Sequence, residues 1–399
     1  MSVLFPRQQS PAGDLLPEIS RSLACQVCAG LTAALPDQTR CWPEPIRHCS
    51  FPWCPHRPCI LFFVLSPTHH PPSPVLTDFN RYPTPAAMAT SPHVTYLPSL
   101  NNPVVLAAPH GGESTHDDIP SIPIRTSGCH EPDTHTIPLA HSIIAEYTAL
   151  HQTTPTLVTL NLHRSLVDGN RSPKTAVTDP TSSALSAYTH YHSCIASSLS
   201  AAVSRHGFAL LIDLHGQSHR PGVDEFGYLL TSRELLLADA EVDSLEKRTT
   251  MDCLIRDGTT RSKVTRGATS LNGLVEKRGF KTTPSPETPA PCSEDALNDV
   301  NNCGCDVKGR EGPPDSGAAR RGCYFWGGYS IRRYSLPDTI PADAAPLNPS
   351  DHGWASKVAS VQIETCWEVR RTPEEREGYA RAVAEAIGEF VQIHYENKL

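Results

Sequence analysis

Val104-Val105-Leu106-Ala107-Ala108-Pro109-His110-Gly111-Gly112-Glu113 is the stretch on which the reading of this chain turns. Its first five residues are apolar and read as a buried strand. Just past the strand end stand a histidine and a carboxylate, three residues apart. Imidazole nitrogen and carboxylate oxygen are both good ligands for a zinc ion. The two glycines between them would let the chain wrap tightly, so that both side chains reach one point. A strand followed by a glycine-rich turn also builds phosphate loops. This one lacks the Gly-Lys-Ser/Thr ending, and a glutamate would repel phosphate.

Two later strand ends add to the first. Leu210-Leu211-Ile212-Asp213-Leu214-His215 offers a third ligand, His215, with Asp213 on the same face of the strand to orient an imidazole. Val358-Ala359-Ser360-Val361-Gln362-Ile363 ends at Glu364, a carboxylate placed to serve as general base to a metal-bound water. In a parallel sheet, sites form beyond the carboxyl ends of the strands, so these residues are expected on one sheet edge. Leu162-His163-Arg164-Ser165-Leu166-Val167-Asp168-Gly169-Asn170-Arg171 follows a further strand. An arginine fork beside an asparagine donor suits a substrate carboxylate, and solvation of a polar loop is the plain alternative. His116, His130 and His135 lie near His110 in sequence but end no strand, and they rank below His215.

Periodicity sets these motifs in an α/β frame. Helices are expected over residues 136–150 and 183–204, and strands over 156–160, 208–214, 226–230 and 358–364. Thr372-Pro373-Glu374-Glu375 has a capping threonine, a proline at the first helical position and a glutamate at the third. It should open a helix running to about Tyr395. Strands alternating with helices predict a three-layer α/β domain with a mostly parallel central sheet.

The chain has 399 residues, a net charge of −8 and no basic block, which argues against nucleic acid as a partner. Its greasiest run, Cys59 to Leu65, is far short of the roughly 20 apolar residues that span a bilayer. No signal peptide is evident at the start. The 14 cysteines then fit free thiols in a reducing compartment, and a cytoplasmic location is expected. Residues 1–92 are rich in Pro, Ser and Cys without sustained periodicity and read as a disordered leader. The spacing around Cys25-Gln26-Val27-Cys28 matches no zinc module. Residues 281–320 are poor in apolar side chains and read as a low-complexity insertion within the domain at 93–396.

Taken together and in order, Pro109-His110-Gly111-Gly112-Glu113, Asp133 with Thr136 and Leu139-Ala140, Arg164 with Val167 to Arg171, Tyr191-His192, Ile212 to Gly216, Gly327-Gly328-Tyr329 and Val361 to Glu364 resemble the N-formylglutamate amidohydrolase (N-formylglutamate deformylase) family. The resemblance runs from about Val104 to Val391, and the family is similar in fold to zinc carboxypeptidases. It implies a phosphorylase/hydrolase-like fold and a zinc ion held by His110, Glu113 and His215. It implies Glu364 as general base, Arg164 at the oxyanion or the substrate carboxylate, and Asn170 and Arg171, beside Asp168, as substrate binders. Gly169 departs from the apolar residue usual in the family pattern. The expected activity is zinc-dependent hydrolysis of an N-formyl or N-acyl amino acid bearing a carboxylate, with N-formylglutamate giving glutamate and formate. A zinc carboxypeptidase or another N-acyl amino-acid deacylase is the alternative enzyme. A non-catalytic zinc-stabilised binding protein is the alternative outside enzymes.

Overall fold

The apolar pentad at 104–108 forms strand β2 (Val104–Ala108), and all five of its residues are buried in the computed structural model of the chain. The structure describes residues 91–395 apart from 181, 219, 257, 294–323 and 341–352. All of these belong to one unit, Pro74–Leu399. The expected leader, with its cysteine pair, lies outside the described residues but for its last two positions.

Seven strands make one sheet in the order β1-β3-β2-β4-β7-β5-β6. They are β1 (Val94–Leu97), β2, β3 (Thr156–Leu160), β4 (Ala209–Gly216), β5 (Asp224–Gly227), β6 (Thr282–Thr283) and β7 (Val358–Thr365). Strands β3, β2, β4 and β7 run parallel, while β1 is antiparallel to β3 and β5 to β7. The central strands are apolar on both faces because both are covered. Val104, Leu106 and Ala108 share a core with Leu210, Ile212, Val361 and Ile363 on the face that carries helices α1 (Thr136–His151) and α3 (Pro373–His394). Val105, Ala107 and Leu211 face helix α2 (Ser183–His206) on the other side. Three layers result, as the alternation predicts.

The three long helices begin and end close to where the sequence places them. In the capping box of α3, the Glu375 amide donates to Thr372 Oγ1 and the Thr372 amide donates to Glu375 Oε2 at 3.1 Å. Val383, Ile387, Phe390 and Val391 then form its buried stripe, each such side chain contributing about 1.5–3 kcal/mol of burial. Helix α2 stops at Gly207, whose φ of 79° suits a residue without Cβ.

The crossovers put the site in place. From β2 the chain passes through α1 to β3 on one side, then through α2 on the opposite face to β4 on the other side of β2. The carboxyl ends of β2 and β4 therefore flank the point where strand order reverses, where doubly wound sheets form their clefts. Among the described residues, no helix is long and apolar enough to cross a membrane.

Two sequence expectations are corrected. The strand expected at 226–230 is β5 at Asp224–Gly227. It stops there because Leu229 takes a φ of 68°, and because Gly227 abuts the backbone of Trp326 and Gly327, where a Cβ would meet atoms at 2.6–2.9 Å. Tyr228, Leu229 and Leu230 are buried beyond the strand rather than in it. The insertion read from residue 281 does not begin there. Thr282 and Thr283 form β6 beside β5, and both are fully buried, as is Ser285. Polar side chains misled the composition, since here they are hydrogen-bonded inside: Thr282 Oγ1 donates to the Asn272 carbonyl at 3.2 Å and Ser285 Oγ to Glu276 at 2.5 Å. Residues 294–320 lie outside the described residues.

Candidate metal centre and active site

Strand register assembles one side of the site. Asp213 lies beside Gln362, and His215 beside Glu364, in the parallel pairing of β4 with β7. Residues two apart on a strand share a face, so these four side chains form a patch at the carboxyl ends of the two strands. His110 arrives two residues past the end of β2. Asp133 comes from the loop before α1, which folds back so that the Asp133 amide donates to the His110 carbonyl at 3.0 Å. Thr136, the first residue of α1, fixes that loop by donating Oγ1 to the Asp133 carbonyl at 2.8 Å.

His110, Asp133 and His215 converge, with one donor atom from each lying within 4.8 Å of the others, and all three are buried. Asp133 Oδ2 stands 3.2 Å from His110 Nδ1 and 2.9 Å from His215 Nδ1. The second nitrogen of each ring meets its own carboxylate: His110 Nε2 lies 2.6 Å from Asp168 Oδ1, and His215 Nε2 lies 3.1 Å from Asp213 Oδ2. Metal-ligating histidines are usually held this way, with the outer nitrogen donating to a carboxylate and the inner one facing the ion. Ligands about 2.0–2.1 Å from one tetrahedral ion stand about 3.3 Å apart, close to the two spacings at Asp133. The donor set fits a metal ion.

Charge is concentrated and balanced. Asp168 is fully buried and takes Arg171 Nε at 2.9 Å, Arg125 Nη1 at 3.4 Å and Arg164 Nε at 3.4 Å. Burial alone would raise the pKa values of Asp168 and Asp133. His110 and the arginines outweigh it and hold both carboxyls well below the usual range. Burial would lower His215, but Asp213, Glu364 and Asp133 raise it well above 6.5. Glu364 is pushed up to about 7, by burial first and then by Asp133 and Glu225, against the pull of His215 and Arg164. Its Oε1 lies 4.0 Å from His215 Nδ1 and accepts from Gln362 Nε2 at 2.8 Å. It is thus a carboxylate beside the triad rather than in it.

The sequence-predicted residues divide accordingly. His110, His215 and Glu364 come together. Glu113 is exposed and stands outside the group. The glycines do not curl the chain back. Gly112 presses on the end of β3, where a Cβ would meet Asn161 and Leu162 backbone at 2.4 Å, and Ser114 bridges in parallel to Leu162. The chain therefore runs on outward, and Asp133 occupies the third corner. Asn170 faces inward: its Oδ1 accepts from the Ser330 amide at 2.8 Å, and its Nδ2 donates to Gln362 Oε1 at 3.1 Å and lies 3.2 Å from His215 Nε2. Asp168 is a buried hub, and Arg171 is 5% exposed with Nε turned to it. Arg164 spans Asp133 and Asp168 with a side chain 16% exposed, so of the two predicted arginines it is the one that fronts the site. His116 and His135 are engaged elsewhere, on the Ile122 carbonyl and the Trp367 ring.

Just beside the site, Asp224 braces the chain that leaves Glu364, its Oδ1 accepting from the Cys366 amide at 2.7 Å. Burial pushes its carboxyl up to about 6, against that hydrogen bond. A buried acid with a raised folded pKa favours the fold while protonated. That contribution is complete below about 4 and is lost as pH rises toward about 6. Asp224→Asn should therefore gain roughly 1–3 kcal/mol over the parent above pH 7, with the gain vanishing near pH 4. Denaturant unfolding without added metal measures it, and parallel pH profiles for the two proteins would refute it.

No family model matches the chain, and no curated protein is significantly similar to it in sequence. Solved structures to which it is similar include N-formylglutamate amidohydrolase from Ralstonia eutropha JMP134, 15% identical over 76% of this chain and 98% of that one, with a TM-score of 0.39. A bacteriophage poly-gamma-glutamate hydrolase is 12% identical over 77% of this chain and 94% of that one, with a TM-score of 0.28. A gene product of Agrobacterium tumefaciens is 11% identical over 75% and 95%, with a TM-score of 0.36.

Proposed function

We propose that this chain is a zinc-dependent amidohydrolase that cleaves the amide bond of an N-formyl or N-acyl amino acid carrying a carboxylate, N-formylglutamate giving glutamate and formate. The observation that carries the reading is the pair of carboxylate-backed imidazoles aimed at one Asp133 oxygen, with the carboxylate of Glu364 beside them. A purely structural zinc site is closed by protein ligands and calls for no adjacent base.

His110, Asp133 and His215 would hold the ion, which when bound supplies an acidified water and a Lewis acid. Glu364 takes the proton of the attacking water and delivers it to the leaving nitrogen. Gln362 keeps that carboxylate turned to the site through its 2.8 Å hydrogen bond, and Asn170 in turn fixes Gln362. Arg164 lies where it can hold an anionic oxygen, either the substrate carboxylate or the charge that develops on the acyl oxygen. Asp168 keeps His110 in one orientation.

The test is a substrate panel on the zinc-loaded full chain: N-formylglutamate, N-acetylglutamate and simple dipeptides. Formate release from the first supports the proposal. Cleavage of dipeptides alone would move the reading to a carboxypeptidase, and a fully loaded protein that turns over none of them would be a binding protein. For Arg164→Ala we expect kcat/KM on N-formylglutamate to fall by roughly 10- to 100-fold, since a charge-assisted hydrogen bond contributes about 1.5–3 kcal/mol. A neutral amide analogue should lose far less. Equal losses on both, with zinc content unchanged, would pass the carboxylate-binding role to Arg171.

A further inference from the structure

At the amino ends of β4 and β7, on the sheet edge opposite the metal centre, lies a cavity of about 240 Å³. Seven strand steps of about 3.3 Å separate the two edges along β4, so roughly 20 Å of sheet stands between them. Phe208 and Tyr395 form its aromatic wall, stacked with centroids 3.7 Å apart, and Leu254 adds an aliphatic side. Arg256 and Lys357 also line it, and both are exposed at its rim. Among the described residues lining the cavity there is no carboxylate; Arg256 Nη2 donates to the His394 carbonyl, and none of the described ion pairs uses Arg256 or Lys357.

Two buried polar atoms of the lining have no partner in the structure, Tyr395 Oη and His206 Nε2. Tyr395 is only 7% exposed. Its hydroxyl feels both Cys253 and Arg256, which line the same cavity, while burial holds the phenol well above its usual pKa. A buried hydroxyl left unpaired loses its water without a substitute, and nothing in the metal centre uses this one. An orphaned hydroxyl near Arg256, an aromatic wall and two cations at the mouth make a coherent set. They match a molecule with an anionic head and a short flat apolar body. The volume lies below the 300–1,000 Å³ usual for drug-sized ligands, so the occupant is small.

We infer that this cavity is a second binding site, separate from the metal centre, for a small organic anion of the aromatic-carboxylate kind. It does not depend on the proposed hydrolase activity. Arg256 and Lys357 meet the carboxylate, Phe208 and Leu254 flank the ring, and Tyr395 Oη takes up the hydrogen bond it lacks.

Benzoate is the probe, titrated calorimetrically into the full chain after chelation has removed metal from the other site. Benzamide serves as its neutral counterpart and inorganic phosphate as a bare anion. Benzoate should bind, benzamide and phosphate each at least several-fold more weakly. The double variant Arg256→Gln/Lys357→Gln should weaken benzoate at least tenfold. Tyr395→Phe, which keeps the stack on Phe208, should weaken it about threefold or more. His215→Ala and Arg164→Ala should leave it unchanged. Failure of benzoate to bind, equal binding of benzamide, tighter binding of phosphate, indifference to the charge variant, or loss in His215→Ala or Arg164→Ala would each overturn the proposal.

Discussion

Zinc bound per chain should fall by one in Asp133→Ala and in His215→Ala, and should not change in Glu113→Gln. The three variants separate the ligand set implied by sequence from the one implied by geometry. Asp133 Oδ2 sits 3.2 and 2.9 Å from the two inner imidazole nitrogens, whereas Glu113 is exposed beyond a strand that carries it outward. Loss of a carboxylate that merely orients a ligand usually costs about 10- to 100-fold in metal affinity. Removal of a ligand from a three-residue site should therefore cost more than about 100-fold, enough to empty it in competition with a moderate chelator. Asp168→Asn and Asp213→Asn should show the smaller, orienting effect, because each carboxylate holds the outer nitrogen of one ring. Elemental analysis after chelator competition, with circular dichroism to confirm folding, gives the answer. Zinc lost in Glu113→Gln and kept in Asp133→Ala would restore the sequence-based set and exclude the triad.

Why the sequence pointed to two corners of that triad and missed the third is a matter of range. His110 and His215 each follow an apolar strand, and the rule that sites form at the carboxyl ends of parallel strands needs no knowledge of loops. Glu364 was readable for the same reason, and register then put it beside His215. Asp133 lies in a loop of more than twenty residues between β2 and α1, with no periodicity to say where it turns. Its return to His110 rests on one backbone hydrogen bond and the Thr136 side chain. The nearest carboxylate in sequence is Glu113, and the glycines between it and His110 suggest a tight wrap. Here they mean close approach, since a Cβ on Gly111 would meet Thr136 Oγ1 at 2.4 Å. The same kind of signal failed at 281–293, where composition cannot tell a solvated polar segment from one whose hydroxyls are hydrogen-bonded inside. Asn170 belongs with these cases: an amide after a strand looks like a ligand-binding group until its partners, Ser330 and Gln362, come from distant parts of the chain.

Glu364→Gln should retain metal and fold and lose turnover by about 10²–10⁴-fold, the usual worth of general acid–base catalysis. That corresponds to about 3–5 kcal/mol on the barrier. Glutamine keeps the shape of the side chain, and its carbonyl oxygen can still accept the hydrogen bond from Gln362. What it cannot do is take a proton. The loss should fall on kcat, with KM and zinc content near those of the parent, because the carboxylate stands beside the ligands and not among them. Among the described residues, each neighbouring carboxylate already has a partner. Asp213 meets His215 through Oδ2, Asp168 is engaged by His110 and three arginines, and Glu225, on β5 opposite Glu364, is held by Arg220 at 2.7 Å and the Phe325 amide at 2.9 Å. Asp133 is spent on the two imidazoles and Arg164. A residual rate well above one part in a hundred, measured on a fully loaded variant, would therefore mean that no side-chain base acts at this site. The proposed mechanism would then have to be abandoned, while the metal centre would stand.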